Sequence, residues 1–176
     1  DLAYTSLPLS PHTDNPYRKP VPCIQILHCI ENEVNGGQST LVDGLSVTEE
    51  LKKKHADFYK ILTEIKVRFQ FIDQNVVLED WAEMIQLDEN NRFKQVRFSP
   101  RLDFVPLMDK EKLELYYSAR NKISEMYNSK KFRIEFKLKP GDLLMMDNHR
   151  LLHGRTEYNA NEGNRFLQGC YIDYDS

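Results

Sequence analysis

The chain has 176 residues, 40% of them hydrophobic and 29% charged, which gives one domain of ordinary size with enough apolar material for a core and excludes disorder. A net charge of -3 with interspersed charges excludes the basic surface that nucleic acid needs, and no apolar run approaches the roughly 20 residues that span a bilayer. The N-terminus lacks the basic and apolar regions of a signal peptide, so the expectation is a soluble cytoplasmic protein with neither nucleic acid nor membrane as partner.

Pro8, Pro11 and Pro16 surround the triplet His12-Thr13-Asp14, and Asp14-Asn15-Pro16 favours a turn, so this segment reads as a strand end. From Val21 to Ile30 the sequence places Ile24, Ile26 and His28 on one face and Cys23, Gln25, Leu27 and Cys29 on the other, which predicts a strand buried on both sides with His28 in the core. Asn35-Gly36-Gly37-Gln38 is a turn signal, and Ser39 to Val42 is a short strand leading to Asp43-Gly44. Ser46 with Glu49 makes a capping box for a helix whose apolar stripe is Val47, Leu51, Phe58, Leu62 and Ile65; His55, among lysines, is expected to be exposed.

Val67 to Ile72 and Phe93 to Phe98 read as strands, with a polar turn at Asp88 to Arg92 between less regular segments. Asp109 can cap a second helix running to about Asn128, with Leu113, Tyr116, Tyr117, Ile123 and Tyr127 for its buried side. Phe132, Ile134, Phe136 and Leu138 alternate with polar residues in a half-buried strand, which Lys139-Pro140-Gly141-Asp142 turns back into Leu143 to Met146. A last strand spans Arg165 to Asp173. Cys23, Cys29 and Cys170 lie in apolar runs without zinc-like spacing and are expected to be buried free thiols in a reducing compartment. Many short strands with two inserted helices, and no Gly-x-Gly-x-x-Gly or Walker-type loop, predict a mainly β protein: a jelly-roll (double-stranded β-helix, cupin-type) barrel whose mouth can hold a metal.

In an extended strand His12 and Asp14 share a face, so they can close on one ion while Thr13 points away. Two imidazoles and a carboxylate form the facial triad that holds non-haem Fe(II) with positions left open for chemistry, and His153 is the candidate third ligand. His149 and His153 are spaced as a helical two-histidine site, but nothing around Asp147-Asn148 favours a helix. Arg165 follows His153 by twelve residues across a loop, so an antiparallel return can bring it to the same pocket, where its fork suits a carboxylate; the alternative for it is a surface ion pair. A zinc hydrolase could use the same ligands but lacks a general base nearby in sequence. A jelly-roll module that binds a ligand without catalysis is the reading from another class.

The string Asp1-Leu2-Ala3-Tyr4-Thr5, followed by His12-Thr13-Asp14, Leu27-His28-Cys29, Gly36-Gly37, Val42-Asp43-Gly44, Lys139-Pro140-Gly141-Asp142, Asp147-Asn148, Leu151-Leu152-His153-Gly154-Arg155 and Arg165, resembles the γ-butyrobetaine dioxygenase and trimethyllysine dioxygenase group of the taurine-dioxygenase-like Fe(II)/2-oxoglutarate oxygenases. The match runs in order along nearly the whole chain and is weakest from residue 67 to residue 108. The resemblance implies that His12, Asp14 and His153 hold the iron, and that Arg165 binds the distal carboxylate of 2-oxoglutarate with Ser39 or Thr40 as hydroxyl partner. It also implies O2 as cosubstrate, succinate and carbon dioxide as coproducts, and hydroxylation of an unactivated C–H bond.

Tyr4 and Tyr171 fall where this family surrounds a trimethylammonium group, which aromatic faces attract by about 0.5–2 kcal/mol each. Asp1 stands where γ-butyrobetaine enzymes commonly have Asn and trimethyllysine enzymes Asp, a residue that can meet a substrate α-amine. The run Met126 to Phe132 and the context of His153 are closer to the γ-butyrobetaine enzymes. The expected reaction is therefore γ-butyrobetaine to L-carnitine, as in carnitine biosynthesis, with trimethyllysine or a taurine-like sulfonate as alternative substrate. Residues 1–176 are expected to form one catalytic domain without the N-terminal region that family members carry, since the chain opens on Asp1 rather than Met; a homodimer is expected by the same likeness. His149, at a position often bulky in relatives, is expected to pack beside the site.

Overall fold

Alternation of apolar and polar residues is resolved into short strands that sort into separate sheets, and helices close one side of the larger one. The structure is a computed structural model and describes residues 5–173. In chain order the elements are β1 (Leu9–His12), β2 (Ile24–Asn32), β3 (Ser39–Asp43), α1 (Gly44–Lys54), α2 (Ala56–Glu64), β4 (Lys66–Asp73), β5 (Val76–Glu83), β6 (Ile85–Leu87), β7 (Phe93–Val96), β8 (Asp103–Phe104), α3 (Lys110–Asn128), β9 (Arg133–Phe136), β10 (Leu143–Asp147), β11 (Leu151–Arg155) and β12 (Arg165–Ile172). The fold is mainly β with inserted helices, as the sequence predicts.

One sheet has the order β1-β11-β3-β9 and a second the order β10-β2-β12, with antiparallel pairing throughout; β5-β4-β8 and β6-β7 form smaller sheets. In the first sheet the pleat divides the work. Val42 and Leu152 are Cα partners on one face and join the core, where Val47 and Leu51 of α1, Leu62 of α2, Tyr116, Ile123 and Tyr127 of α3, and Val67 and Phe69 of β4 are buried with them. Burial of each such side chain contributes about 1.5–3 kcal/mol. The opposite face carries Leu41 and His153, also Cα partners. The core therefore fixes β11 from behind and presents His153 in front.

Several local expectations change. The first helix begins three residues earlier than its capping box suggests: Asp43 is the N-cap, accepting from the Leu45 amide at 3.1 Å and from the Ser46 hydroxyl at 2.8 Å. It is also not continuous, because α1 ends at Lys54 and His55, partly buried and stacked on Phe58, starts a second helix. Val76–Glu83 and Ile85–Leu87 are strands in the stretch that sequence left irregular. Tyr117 and Ile134 are exposed, because α3 and β9 each bury a narrower stripe than their apolar residues allow. Cys170 is exposed, on the outer face of β12, whereas Cys23 and Cys29 are buried as expected. β2 buries Gln25 and Cys29 on one face and only half-buries Ile24, Ile26 and His28 on the other.

The turn at Lys139-Pro140-Gly141-Asp142 forms as expected, with φ +91° at Gly141 and the Asp142 amide donating to the Lys139 carbonyl at 2.9 Å. It does not fold β9 back onto β10, however. β9 pairs with β3 and β10 with β2, so the turn passes the chain from one sheet to the other.

Asp43 also accepts two bonds from the Arg150 guanidinium, at 2.9 and 2.7 Å, and that pairing holds its carboxyl down at about 2. Asp43→Ala removes the cap and the pair, and a loss of about 1–2 kcal/mol in urea unfolding at neutral pH is expected. Because the folded-state value lies below the ordinary 3.8, this contribution is complete above that value and disappears as pH falls toward 2, so mutant and parent should converge in acid.

Candidate metal centre

β1 ends at His12, whose Cα partner across the sheet is His153, so strand pairing alone sets the two imidazoles side by side with ring centroids 4.4 Å apart. The chain then leaves the strand. Thr13 is buried in the opposite direction: its amide donates to the Phe98 carbonyl at 2.9 Å and its Oγ1 accepts from the Phe98 amide at 3.0 Å. Asn148, fully buried, holds the next residue by its backbone. Its Oδ1 accepts from the Asp14 amide at 2.8 Å, and its Nδ2 donates to the carbonyls of Asp14 at 3.0 Å and Pro22 at 2.8 Å. Clasped on both sides, Asp14 turns its carboxylate to the imidazoles.

The three residues each offer a ligand atom within 4.8 Å of the others. His12 Nε2 lies 3.4 Å from Asp14 Oδ1, and His153 Nε2 lies 3.7 Å from Asp14 Oδ2. His12 Nδ1 is 2.8 Å from the Ser10 carbonyl, which leaves Nε2 as the ring nitrogen turned to the carboxylate. Burial, with the neighbouring His12, pushes His153 down to about 4, so it is neutral at physiological pH. Burial alone would raise the Asp14 carboxyl, but the hydrogen bond and charge of His12 and the charge of His153 outweigh it and hold the group well below the usual carboxylate range. Two imidazoles and one ionised carboxylate, converging half-buried, suit a divalent first-row metal such as Fe(II).

The carboxylate has two further partners. Gln25 Nε2 donates to Asp14 Oδ2 at 2.5 Å, and the Tyr171 hydroxyl donates to the same oxygen at 2.7 Å. Gln25 of β2 and Tyr171 of β12 are Cα partners, so the ladder delivers both donors to one point. Tyr171 thus reaches the site through its hydroxyl. Gln25 was not identified from sequence: a glutamine at an inward position of an apolar strand was the signal.

Arg165 does not return beside His153 in an antiparallel pair, since β12 pairs with β2 in the other sheet. Along β12 it alternates onto the same face as Leu167, Gly169 and Tyr171, facing inward. The arginine ion pairs of the described residues use Arg92, Arg97, Arg120, Arg133 and Arg150 and leave Arg165 out, so it is not a surface ion pair. Its Nε is buried with no hydrogen-bond partner among the described residues, and its guanidinium lies over the Tyr158 ring at 5.3 Å. Burial and the nearby Arg155 lower its pKa. Gly37, at φ +60°, lies against it: a Cβ there would sit 3.0 Å from Arg165 Nε. Lys137 holds that loop by donating to the carbonyls of Val34 and Gly36, and burial with the Arg165 charge lowers the Lys137 pKa.

Ser39 is the Cα partner of Arg155 and shares the His153 face. Thr40 points the other way, with its Oγ1 2.8 Å from where a Cβ on Gly154 would stand, because the β3–β11 register pairs it with Gly154 rather than His153. The expectation of Thr40 as a hydroxyl partner is corrected on that ground. His149 packs beside the site, its Nε2 2.9 Å from the Val21 carbonyl. Asp1 and Tyr4 lie outside the described residues.

Comparison with known proteins gives a consistent picture. The family described as "Taurine catabolism dioxygenase TauD, TfdA family" matches residues 1–171. The chain is 36% identical over 180 residues to the γ-butyrobetaine dioxygenase of Homo sapiens, covering 99% of this chain and 46% of that protein. It is 32% identical over 180 residues to the trimethyllysine dioxygenase of Meyerozyma guilliermondii, covering 99% of this chain and 44% of that protein. The chain therefore spans about half the length of the curated relatives it matches. Among solved structures, asparagine oxygenase in complex with Fe(II), 2S,3S-3-hydroxyasparagine and succinate is similar with a TM-score of 0.76 and 18% identity, over 95% of this chain and 50% of that one. That likeness supports the jelly-roll architecture.

Proposed function

Because the chain belongs to the TauD, TfdA family of taurine catabolism dioxygenases, we propose that it is an Fe(II)- and 2-oxoglutarate-dependent dioxygenase that hydroxylates γ-butyrobetaine to L-carnitine. The observation that carries this reading is the convergence of His12, Asp14 and His153 in a chain whose half-buried Arg165 has no acidic partner among the described residues. Higher identity to a γ-butyrobetaine dioxygenase than to a trimethyllysine dioxygenase favours the first substrate.

Fe(II) bound with 2-oxoglutarate supplies the oxidising power, one oxygen atom of O2 passing to the C–H bond and the other to the carboxylate formed as 2-oxoglutarate becomes succinate and carbon dioxide. The chain's own residues set the stage. Asp14 contributes the negative charge, while His12 and His153 contribute imidazole nitrogens, of which His153 is neutral and need lose no proton to bind. Arg165 receives the distal carboxylate in two parallel hydrogen bonds, with Ser39 on the adjoining sheet face as hydroxyl partner and Lys137 adding positive potential. The Tyr171 ring, 44% exposed beside Asp14, offers a face to the trimethylammonium group.

Succinate release from 2-oxoglutarate with Fe(II), measured on γ-butyrobetaine, trimethyllysine and taurine, tests the reading. γ-Butyrobetaine should give the fastest turnover. Faster turnover of trimethyllysine would change the substrate, and turnover of taurine without any on the two trimethylammonium compounds would remove the aromatic cage.

A further inference from the structure

We propose that Gln25 and Tyr171 are positioning residues that dedicate Asp14 to the metal through a single oxygen; the proposal rests on the metal-binding reading above. A carboxylate can hold an ion with one oxygen or two. Two-oxygen binding would occupy a coordination position that 2-oxoglutarate and O2 require, because six positions less two imidazole nitrogens leave room for one carboxylate oxygen, two cosubstrate atoms and one oxygen ligand. Oδ2 of Asp14 is already engaged by donors at 2.5 Å and 2.7 Å, which fill its two lone-pair positions, so that oxygen can turn to the ion only by giving up one of them. Oδ1 remains.

The two donors form one device. They are Cα partners across β2 and β12, so neither shifts along its strand without the other. Gln25 is buried, and its Oε1 has no hydrogen-bond partner among the described residues, so only the Asp14 carboxylate selects which end of the amide faces the site. Turned over, the amide would oppose oxygen to oxygen. The phenol bond has a second effect: it locks the Tyr171 ring, partly open to solvent, at a fixed distance from the metal ligand. Tyr171 then acts through its hydroxyl on the iron ligand and through its ring face on a cationic substrate.

Two conservative variants separate these roles. Tyr171→Phe keeps the ring and removes the hydroxyl, and Gln25→Met keeps length and volume and removes the donor. Co(II) is titrated into the purified protein without substrate or 2-oxoglutarate, following its visible absorption, alongside the thermal unfolding of the metal-free protein. Each variant should weaken Co(II) binding about tenfold, the lower end of what partners of metal ligands typically contribute, with an altered cobalt spectrum and an unchanged fold. A role confined to the aromatic cage would leave Tyr171→Phe equal to the parent. Parental affinity and spectrum in both variants would overturn the proposal while leaving the metal site standing. A parent that binds Co(II) no better than Asp14→Ala would overturn both. Should the buried Gln25→Met fail to fold, Tyr171→Phe decides the matter alone.

Discussion

Asp14→Ala and His153→Ala are each expected to abolish substrate-dependent succinate release. Among the described residues Asp14 is the only carboxylate in the cluster, and without it two imidazoles would hold a divalent cation with no compensating charge. The substitution also removes an acceptor from the Gln25 amide and from the Tyr171 hydroxyl. His153→Ala removes a neutral nitrogen donor from the middle of β11, where Leu152 and Gly154 continue to hold the strand in register. A loss on the order of 10³-fold or more is expected, a modest part of the rate enhancement of 10⁶-fold or greater that enzymes supply. Succinate measured with and without γ-butyrobetaine, after circular dichroism has established that each variant is folded, provides the check; parental turnover in either variant would refute the assignment of ligands.

Asn148→Ala should do more damage to the fold than any other single truncation near the site. Its amide makes three hydrogen bonds to backbone groups of Asp14 and Pro22, and the side chain is fully buried. Truncation strands an N–H and two carbonyls away from water, at about 1–3 kcal/mol for each group that finds no substitute, so a total of roughly 3–5 kcal/mol is expected. Asn148→Asp tests the same geometry by chemistry instead of size. It replaces the donating nitrogen with an oxygen set against two carbonyls, and should destabilise as much as alanine does. Urea unfolding of the metal-free protein measures both. A loss below 1 kcal/mol in Asn148→Ala would show that the clasp on Asp14 lies elsewhere.

The ligand types were legible because they depend on covalent spacing and strand pleat: His12 and Asp14 are separated by one residue, and His153 lies within a short extended run. The same logic failed one step further out. Whether Ser39 or Thr40 faces the metal is decided by whether β3 pairs Gly154 with one or the other, and register belongs to two strands at once. Arg165 turns inward by a route that spacing from His153 does not show, since alternation along β12 sets its face without any pairing to β11. Gln25 and Asn148 show a different limit. Asparagine and glutamine carry no spacing rule of their own, and their importance arises from burial against Asp14, which only the folded chain displays. The helix start was misjudged because Ser46 with Glu49 satisfies a local rule, while the Arg150 pairing that favours Asp43 comes from far along the chain. Half of the β4–β5 hairpin is hidden from sequence because Val76, Val77 and Trp81 lie exposed while Asp80 is half-buried, so the apolar residues of β5 do not follow its alternating burial.

The clasp around Asp14 also dictates when the site can come into being. The bond from the Asp14 amide to Asn148 spans 134 positions of sequence, and the bond from Tyr171 to the Asp14 carboxylate spans 157. Such closures carry a large entropic penalty until nearly all intervening structure is in place, and contacts of this range belong to the slow part of folding. During synthesis His12 and Asp14 are made long before His153, and they must be carried through the synthesis of α1, α2 and α3 before the third ligand appears. Metal capture is consequently a late event, and an ion offered to an incomplete chain meets a His-Asp pair with nothing opposite it.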